Sequence, residues 1–86
     1  MDPYSVIIRP DVTERSMKLV ETENKLVFVV SRDSTKGAIK SAVESLYEIE
    51  VEGVNTLITS KGLKKAYVKL SPKHRADEIA TRIGIF

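Results

Sequence analysis

The apolar positions of this chain fall into short blocks whose spacing alternates between two periods. Val6-Ile7-Ile8 is a brief apolar run that stops at Arg9-Pro10. Proline has no N–H to give a ladder, so the run reads as a first strand that ends there. Asp11-Val12-Thr13-Glu14 follows. An acid just ahead of the next periodic stretch, with Glu14 three residues on, predicts a helix start in which Asp11 accepts from the free N–H groups. That helix is expected from Val12 to about Thr22, with Met17 and Val20 turned inward.

Lys25-Leu26-Val27-Phe28-Val29-Val30-Ser31 is β-branched and apolar at successive positions, which predicts a central strand covered at least partly on both faces. Asp33-Ser34-Thr35 offers N-caps for a second helix. In it Ile39, Ala42, Val43 and Leu46 recur at i, i+3, i+4 and i+7, with Lys40 and Glu44 on the opposite face. Val51 to Thr59 reads as a third strand, with Val54, Thr56 and Ile58 on one side and Gly53 marking a bulge. Ser60-Lys61-Gly62-Leu63 is a tight turn into a fourth strand, Lys64 to Ser71. Here Ala66, Val68 and Leu70 face the core and Lys65, Tyr67 and Lys69 face away. After Ser71-Pro72, a last helix carries Ala76, Ile79, Ala80 and Ile83 on one stripe and stops at Gly84. The order β-α-β-α-β-β-α predicts an α+β fold: a four-stranded, mainly antiparallel sheet with packed helices.

A length of 86 residues and a composition 42% hydrophobic and 30% charged predict one globular domain over residues 1–86. The absence of cysteine excludes disulfides and thiolate zinc sites and fits a cytosolic protein. His74 is the single histidine and sits in a cationic turn, which argues against a metal site. The glycines are isolated, so no phosphate-cradling loop is formed. Glu44, Glu48, Glu50 and Glu52 cluster in sequence, but Glu44 and Glu48 fall on the polar face of the second helix and read as solvated acids rather than an acid–base pair. Neither an enzyme nor a cofactor is expected. No apolar run approaches the ~20 residues needed to cross a bilayer. Met1-Asp2-Pro3-Tyr4 lacks the basic start of a signal peptide, so no membrane insertion is expected.

Charge distribution says more than the net value of +2. Residues 53–75 carry Lys61, Lys64, Lys65, Lys69, Lys73 and Arg75 with no acid among them. Such a block points to a polyanionic partner. The strand period places Lys65, Tyr67 and Lys69 on one surface next to Lys61 and Lys64: cations to neutralise phosphates, with an aromatic between them to stack on an unpaired base. The alternative is ordinary: lysines guard exposed strands against edge pairing, and tyrosine is a good strand residue. A second patch comprises Arg9, Thr13, Arg15, Ser16 and Lys18, interleaved with Asp11 and Glu14. Asn55 and Thr56, mid-strand, are further candidates for sugar or phosphate contacts.

Three segments resemble a known family in the right order and spacing. Lys64-Lys65-Ala66-Tyr67-Val68-Lys69-Leu70-Ser71, with Ile79 after seven further residues, is similar to the signature of the ribosomal protein L23 family. Arg9-Pro10-Asp11-Val12-Thr13-Glu14-Arg15-Ser16 resembles its N-terminal motif, and Val54-Asn55-Thr56-Leu57 its strand-three motif. The likeness covers nearly the whole chain and is to the archaeal form. It implies a cytoplasmic, ribosome-bound protein that binds large-subunit rRNA beside neighbouring ribosomal proteins. It further implies a place in the docking platform at the polypeptide exit tunnel, where the signal recognition particle and the translocation channel land. Glu14 matches the position that docks the exit-site chaperone in bacterial members. Those members carry a long extension between strands three and four; here that connection is only Ser60-Lys61-Gly62-Leu63, which implies no tunnel-lining loop.

Two other readings compete. An RNA-recognition-motif module is suggested by Lys61-Gly62, but Leu63, Lys65 and Val68 stand where its aromatics should be. A small regulatory or protein-interaction domain would need a pocket or apolar patch rather than the charge block. On the leading reading, Lys65→Ala weakens RNA binding with little loss of stability. Val68→Asp buries a charge in the core and is expected to unfold the domain, measured by loss of a cooperative thermal transition in circular dichroism. A well-folded Val68→Asp protein would show that the assigned facing of strand four is inverted.

Overall fold

The computed structural model describes residues 3–85 and begins with a single helical turn, Pro3–Val6 (α1). The first strand is Ile7–Pro10 (β1), one residue later than the sequence suggests, because Val6 closes the turn. Met1 and Asp2, part of the N-terminal stretch read above for a signal peptide, lie outside the described residues. There follow α2 (Glu14–Glu23), β2 (Lys25–Val30), α3 (Lys36–Tyr47), β3 (Val51–Ile58), β4 (Lys64–Leu70) and α4 (Ala76–Arg82). Beyond the first turn this is the β-α-β-α-β-β-α order of the α+β fold expected. The sheet runs β1-β2-β4-β3, and every neighbouring pair is antiparallel. β2 and β3 therefore lie parallel to each other with β4 inserted between them, and α3 makes the crossover.

Two-residue periodicity assigns the faces. Leu26, Phe28 and Val30 of β2 stand with Ala66, Val68 and Leu70 of β4 in the core, joined by Ile39, Ala42 and Val43 of α3 and Ala76, Ile79 and Ala80 of α4. Phe28 stacks on Tyr47, ring centres 5.8 Å apart, which ties the sheet to the end of α3. β2 is buried at every position from Leu26 to Val30; it is the doubly covered strand that its unbroken apolar run predicts. Gly53 lies at a register shift between Val51 and Gly53 opposite β4, the bulge anticipated there.

The start of α2 departs from the sequence reading. Thr13, not Asp11, is the N-cap. Thr13 Oγ1 accepts the Ser16 N–H at 3.1 Å, and Ser16 Oγ accepts the Thr13 N–H at 2.8 Å. Ser16, not Glu14, thus closes the capping box. Asp11 remains extended and donates its N–H to Val27 O at 2.9 Å. Glu44 is a second correction. Rather than being a solvated acid, it accepts the Val51 N–H through Oε2 at 3.0 Å, pinning the first residue of β3 to α3. At the other end, Gly84 (φ +86) and Ile85 donate their N–H groups to Thr81 O and Ala80 O. This is the paired ending that a glycine after the last turn permits.

One organising residue left no periodic trace in the sequence. Asn24 ends α2 in the left-handed region (φ 55). Its Oδ1 accepts the Ala76 N–H at 2.7 Å, and its Nδ2 donates to His74 O at 3.0 Å. The N-cap residue of α4, Arg75, makes no side-chain capping bond, so Asn24 caps that helix from the far end of another. Asn24→Ala loses these bonds and places a β-carbon residue in a left-handed turn, so it is expected to cost about 2–3 kcal/mol in urea unfolding. Asn24→Gly loses the same bonds but fits the left-handed turn, so it is expected to cost less than Asn24→Ala; the opposite ranking would show that backbone strain does not set the difference.

Candidate nucleic-acid interface

The face of the sheet away from the core is organised in rows. Cross-strand pairing sets Arg9, Val29, Lys65 and Leu57 side by side across all four strands. The next row is Val27, Tyr67 and Asn55, and the third is Lys25, Lys69 and Gly53. Lys65, Tyr67 and Lys69 thus point away from the core, as the alternation predicts, while Ala66 and Val68 are fully buried. α2 packs along β2 and reaches α4. Its Val20 joins the core, while Ser16 and Leu19 line the hollow beside Val27 and Tyr67.

β4 is an interior strand, so edge protection does not account for its lysines. A different sink for their charge exists. Lys65 Nζ lies 3.2 Å from Asp11 Oδ2, Lys69 Nζ 3.7 Å from Glu52, Lys73 Nζ 3.3 Å from Glu50, and Arg75 2.8 Å from Asp77. Four of the six cations that stand acid-free in sequence are therefore paired in space. Glu52 occupies the bulge of β3, which brings it to Lys69. Lys25 and Lys69 sit directly opposite one another, and each carries its own acid, Glu23 and Glu52, which offsets their repulsion.

These pairs are not equivalent. Those of Lys69, Lys73 and Arg75 are at the surface and contribute roughly 0–1 kcal/mol each, screened by salt. The pair of Lys65 is inside: the Asp11 side chain is only 10% exposed. Lys64 faces the core side of the sheet opposite Val30 and Ile58, and its Nζ donates to Ser34 O at 2.6 Å. It holds the hairpin to the start of α3 without pairing to an acid among the described residues. Among the described residues Arg9, Arg15, Lys18 and Lys61 make no ion pair.

Two adjoining hollows gather most of the expected residues. One, of ≈ 190 Å³, is lined by Asp11, Thr13, Arg15, Leu19, Val27, Leu57 and Tyr67 among others; the second, ≈ 300 Å³, by Arg9, Lys61 and Leu63; Asp11, Thr59 and Lys65 belong to both. Gly62 (φ +82) allows the turn that carries Lys61, closed by Gly62 N–H donating to Thr59 O at 2.9 Å. Several sequence candidates lie elsewhere. Thr56 is on the core side opposite Ala66, Asn55 stands beyond Tyr67, and Lys18 lines neither hollow. Ser16 is buried, and its hydroxyl donates to Asp11 O at 2.7 Å, so it shapes the site from below. Glu14 is exposed as the first residue of α2. A larger hollow, ≈ 490 Å³, between the end of α2 and the start of α4 is lined by Glu21, Glu23 and Asp77 as well as Lys69 and Arg75, a mixed lining that does not favour a polyanion. Among the described residues no cluster of three or more acidic or histidine side chains could hold a metal ion, and no helix is long and apolar enough to cross a membrane.

An α+β sandwich whose sheet is closed on one face by α3 and α4, and on the other is covered by α2 only along β2, leaving a cation-bearing remainder, defines the structural class. Residues 5–78 match the family model described as Ribosomal protein L23. The whole chain is 50% identical over 86 residues to the full length of the large ribosomal subunit protein uL23 of Methanothermobacter thermautotrophicus. It is 49% identical, again over the full length of both, to the protein of the same name from Methanococcus aeolicus. The chain belongs to the ribosomal protein L23 family, in its archaeal form.

The position of Asp11 revises one expectation. Lys65→Ala strands a nearly buried carboxylate, so it is expected to cost about 1–3 kcal/mol of stability even without RNA, measured by chemical denaturation. Lys65→Met combined with Asp11→Asn removes both charges and is expected to recover part of that loss. An unaltered midpoint for Lys65→Ala would show that the pair contributes nothing.

Proposed function

We propose that this chain is a structural, non-catalytic constituent of the large ribosomal subunit in the cytoplasm, and that it binds large-subunit rRNA through the open sheet face. The observation that carries the reading is the convergence of Arg9, Arg15, Lys61, Lys65 and Tyr67 from four separate elements around two joined hollows. Both relatives are named as large-subunit proteins, which supports the assembly into which this surface fits. Unpaired Arg9, Arg15 and Lys61 supply the counterion release that drives binding to a phosphate backbone. Lys69, Lys18 and Asn55 extend the same contact at its margins, and Thr13 lines the smaller hollow itself. Thr56 and Lys64 serve it from the core side, and Ser16 by holding Asp11 and Thr13 in place. Phosphate can displace the surface carboxylates, so Lys69 contributes only what remains after its pair with Glu52 is broken.

The exit-tunnel platform is part of the same proposal. Neighbouring ribosomal proteins, the signal recognition particle and the translocation channel would meet the surface that stays free once RNA is bound, with exposed Glu14 as a contact. Its short hairpin gives this chain no means of reaching far from its own body.

Filter binding to a large-subunit rRNA transcript across a salt series tests the RNA reading. Replacing Arg9, Arg15 and Lys61 together by alanine is expected to reduce the slope of log K against log salt by about 2–3. Stability should change little, by roughly 0.5 kcal/mol or less per exposed site. Salt-indifferent binding by the parent protein, or a triple variant that binds like it, would refute the assignment.

A further inference from the structure

The smaller hollow does not look like a phosphate site alone. Part of its lining is apolar: Val27 at the sheet, Leu19 from α2 and Leu57 from β3, with the ring of Tyr67 between strands. Its volume of ≈ 190 Å³ is below the ~300–1,000 Å³ usual for larger organic ligands and suits one planar ring system. The rest is different chemistry. Arg15 and Lys65 also line the hollow, and the adjoining one carries Arg9 and Lys61. Apolar lining beside cations fits the two halves of a nucleotide, the base against the apolar side chains and the phosphate against the cations.

We infer that this hollow takes a single unpaired nucleobase of the bound RNA, turned out of its stack and laid against Tyr67. The inference rests on the RNA-binding reading above and deepens it by naming what enters the site. Asp11 gives the slot a polar wall. Its Oδ2 is held by Lys65, and its Oδ1 takes no hydrogen bond from any described residue. That oxygen accepts from an amino or ring N–H group on the edge of the base. Lys65 thereby has two tasks, pairing with Asp11 at 3.2 Å and meeting the phosphate that follows the base. Leu57, 53% exposed beside Lys65, gains an occupant to cover it.

The probe is an archaeal large-subunit rRNA transcript, examined by chemical modification of base edges with and without protein. Two charge-neutral variants are compared with the parent: Tyr67→Leu, which removes the ring, and Leu57→Ser, which alters an exposed position and leaves the core intact. The parent is expected to protect the base edge of one unpaired nucleotide. Both variants are expected to lose that protection and about tenfold in affinity, with an unchanged salt slope, since stacking and phosphate contacts contribute separately. If the parent binds RNA but protects no unpaired base, or both variants bind and protect as it does, the base pocket is overturned while the RNA-binding reading stands. A parent that fails to bind the transcript, or binds it indifferently to salt, overturns that reading first and the pocket with it.

Discussion

Everything in this molecule is arranged around β2 being buried on both faces. Five successive residues, Leu26 to Val30, have almost no exposure, and burying each such side chain contributes roughly 1.5–3 kcal/mol. A strand with two apolar faces has to lie inside the sheet with cover on both sides. α3 and α4 supply one cover. The other comes from α2 together with the side chains of Lys65 and Tyr67 on the adjacent strand. With its helices committed in this way, the fold has nothing left to cover the remainder of β4 and β3. The open face and its hollows are the consequence of how the core was closed.

The parts legible in the sequence were those governed by short periods. The stripe of α3, the alternation of β4, the double burial of β2, the bulge at Gly53 and the glycine stop after α4 follow from spacing and local backbone preference. What was not legible depends on contacts between distant positions. Asp11 reads as a cap because it precedes a helix, yet it serves as counterion to Lys65, 54 positions away. Asn24 carries no apolar period at all, yet it caps a helix that starts 52 positions later. Glu44 was placed on the correct helix face, but its partner, the N–H of Val51, is defined only once β3 has docked.

The cationic block shows the same limit in its most consequential form. Along the chain it contains no acid. In the fold, Asp11, Glu50, Glu52 and Asp77 enter from both flanks. The tally of lysines therefore overstates the field that this surface projects, and family membership is carried by the match along the whole chain rather than by the charge count. The cations that keep their charge unpaired, Arg9, Arg15 and Lys61, belong to three different elements, so their concentration at one place is a product of topology.

The edge strand β3 has an uneven fate along its length. Near Val51 and Glu52 it is interrupted by the bulge and carries a charge, both of which discourage another strand from adding to it. Toward Leu57 and Ile58, both 53% exposed, it is regularly paired with β4 and apolar. A newly synthesised copy awaiting its place in a larger assembly is thus guarded against self-association at one end of this edge and vulnerable at the other.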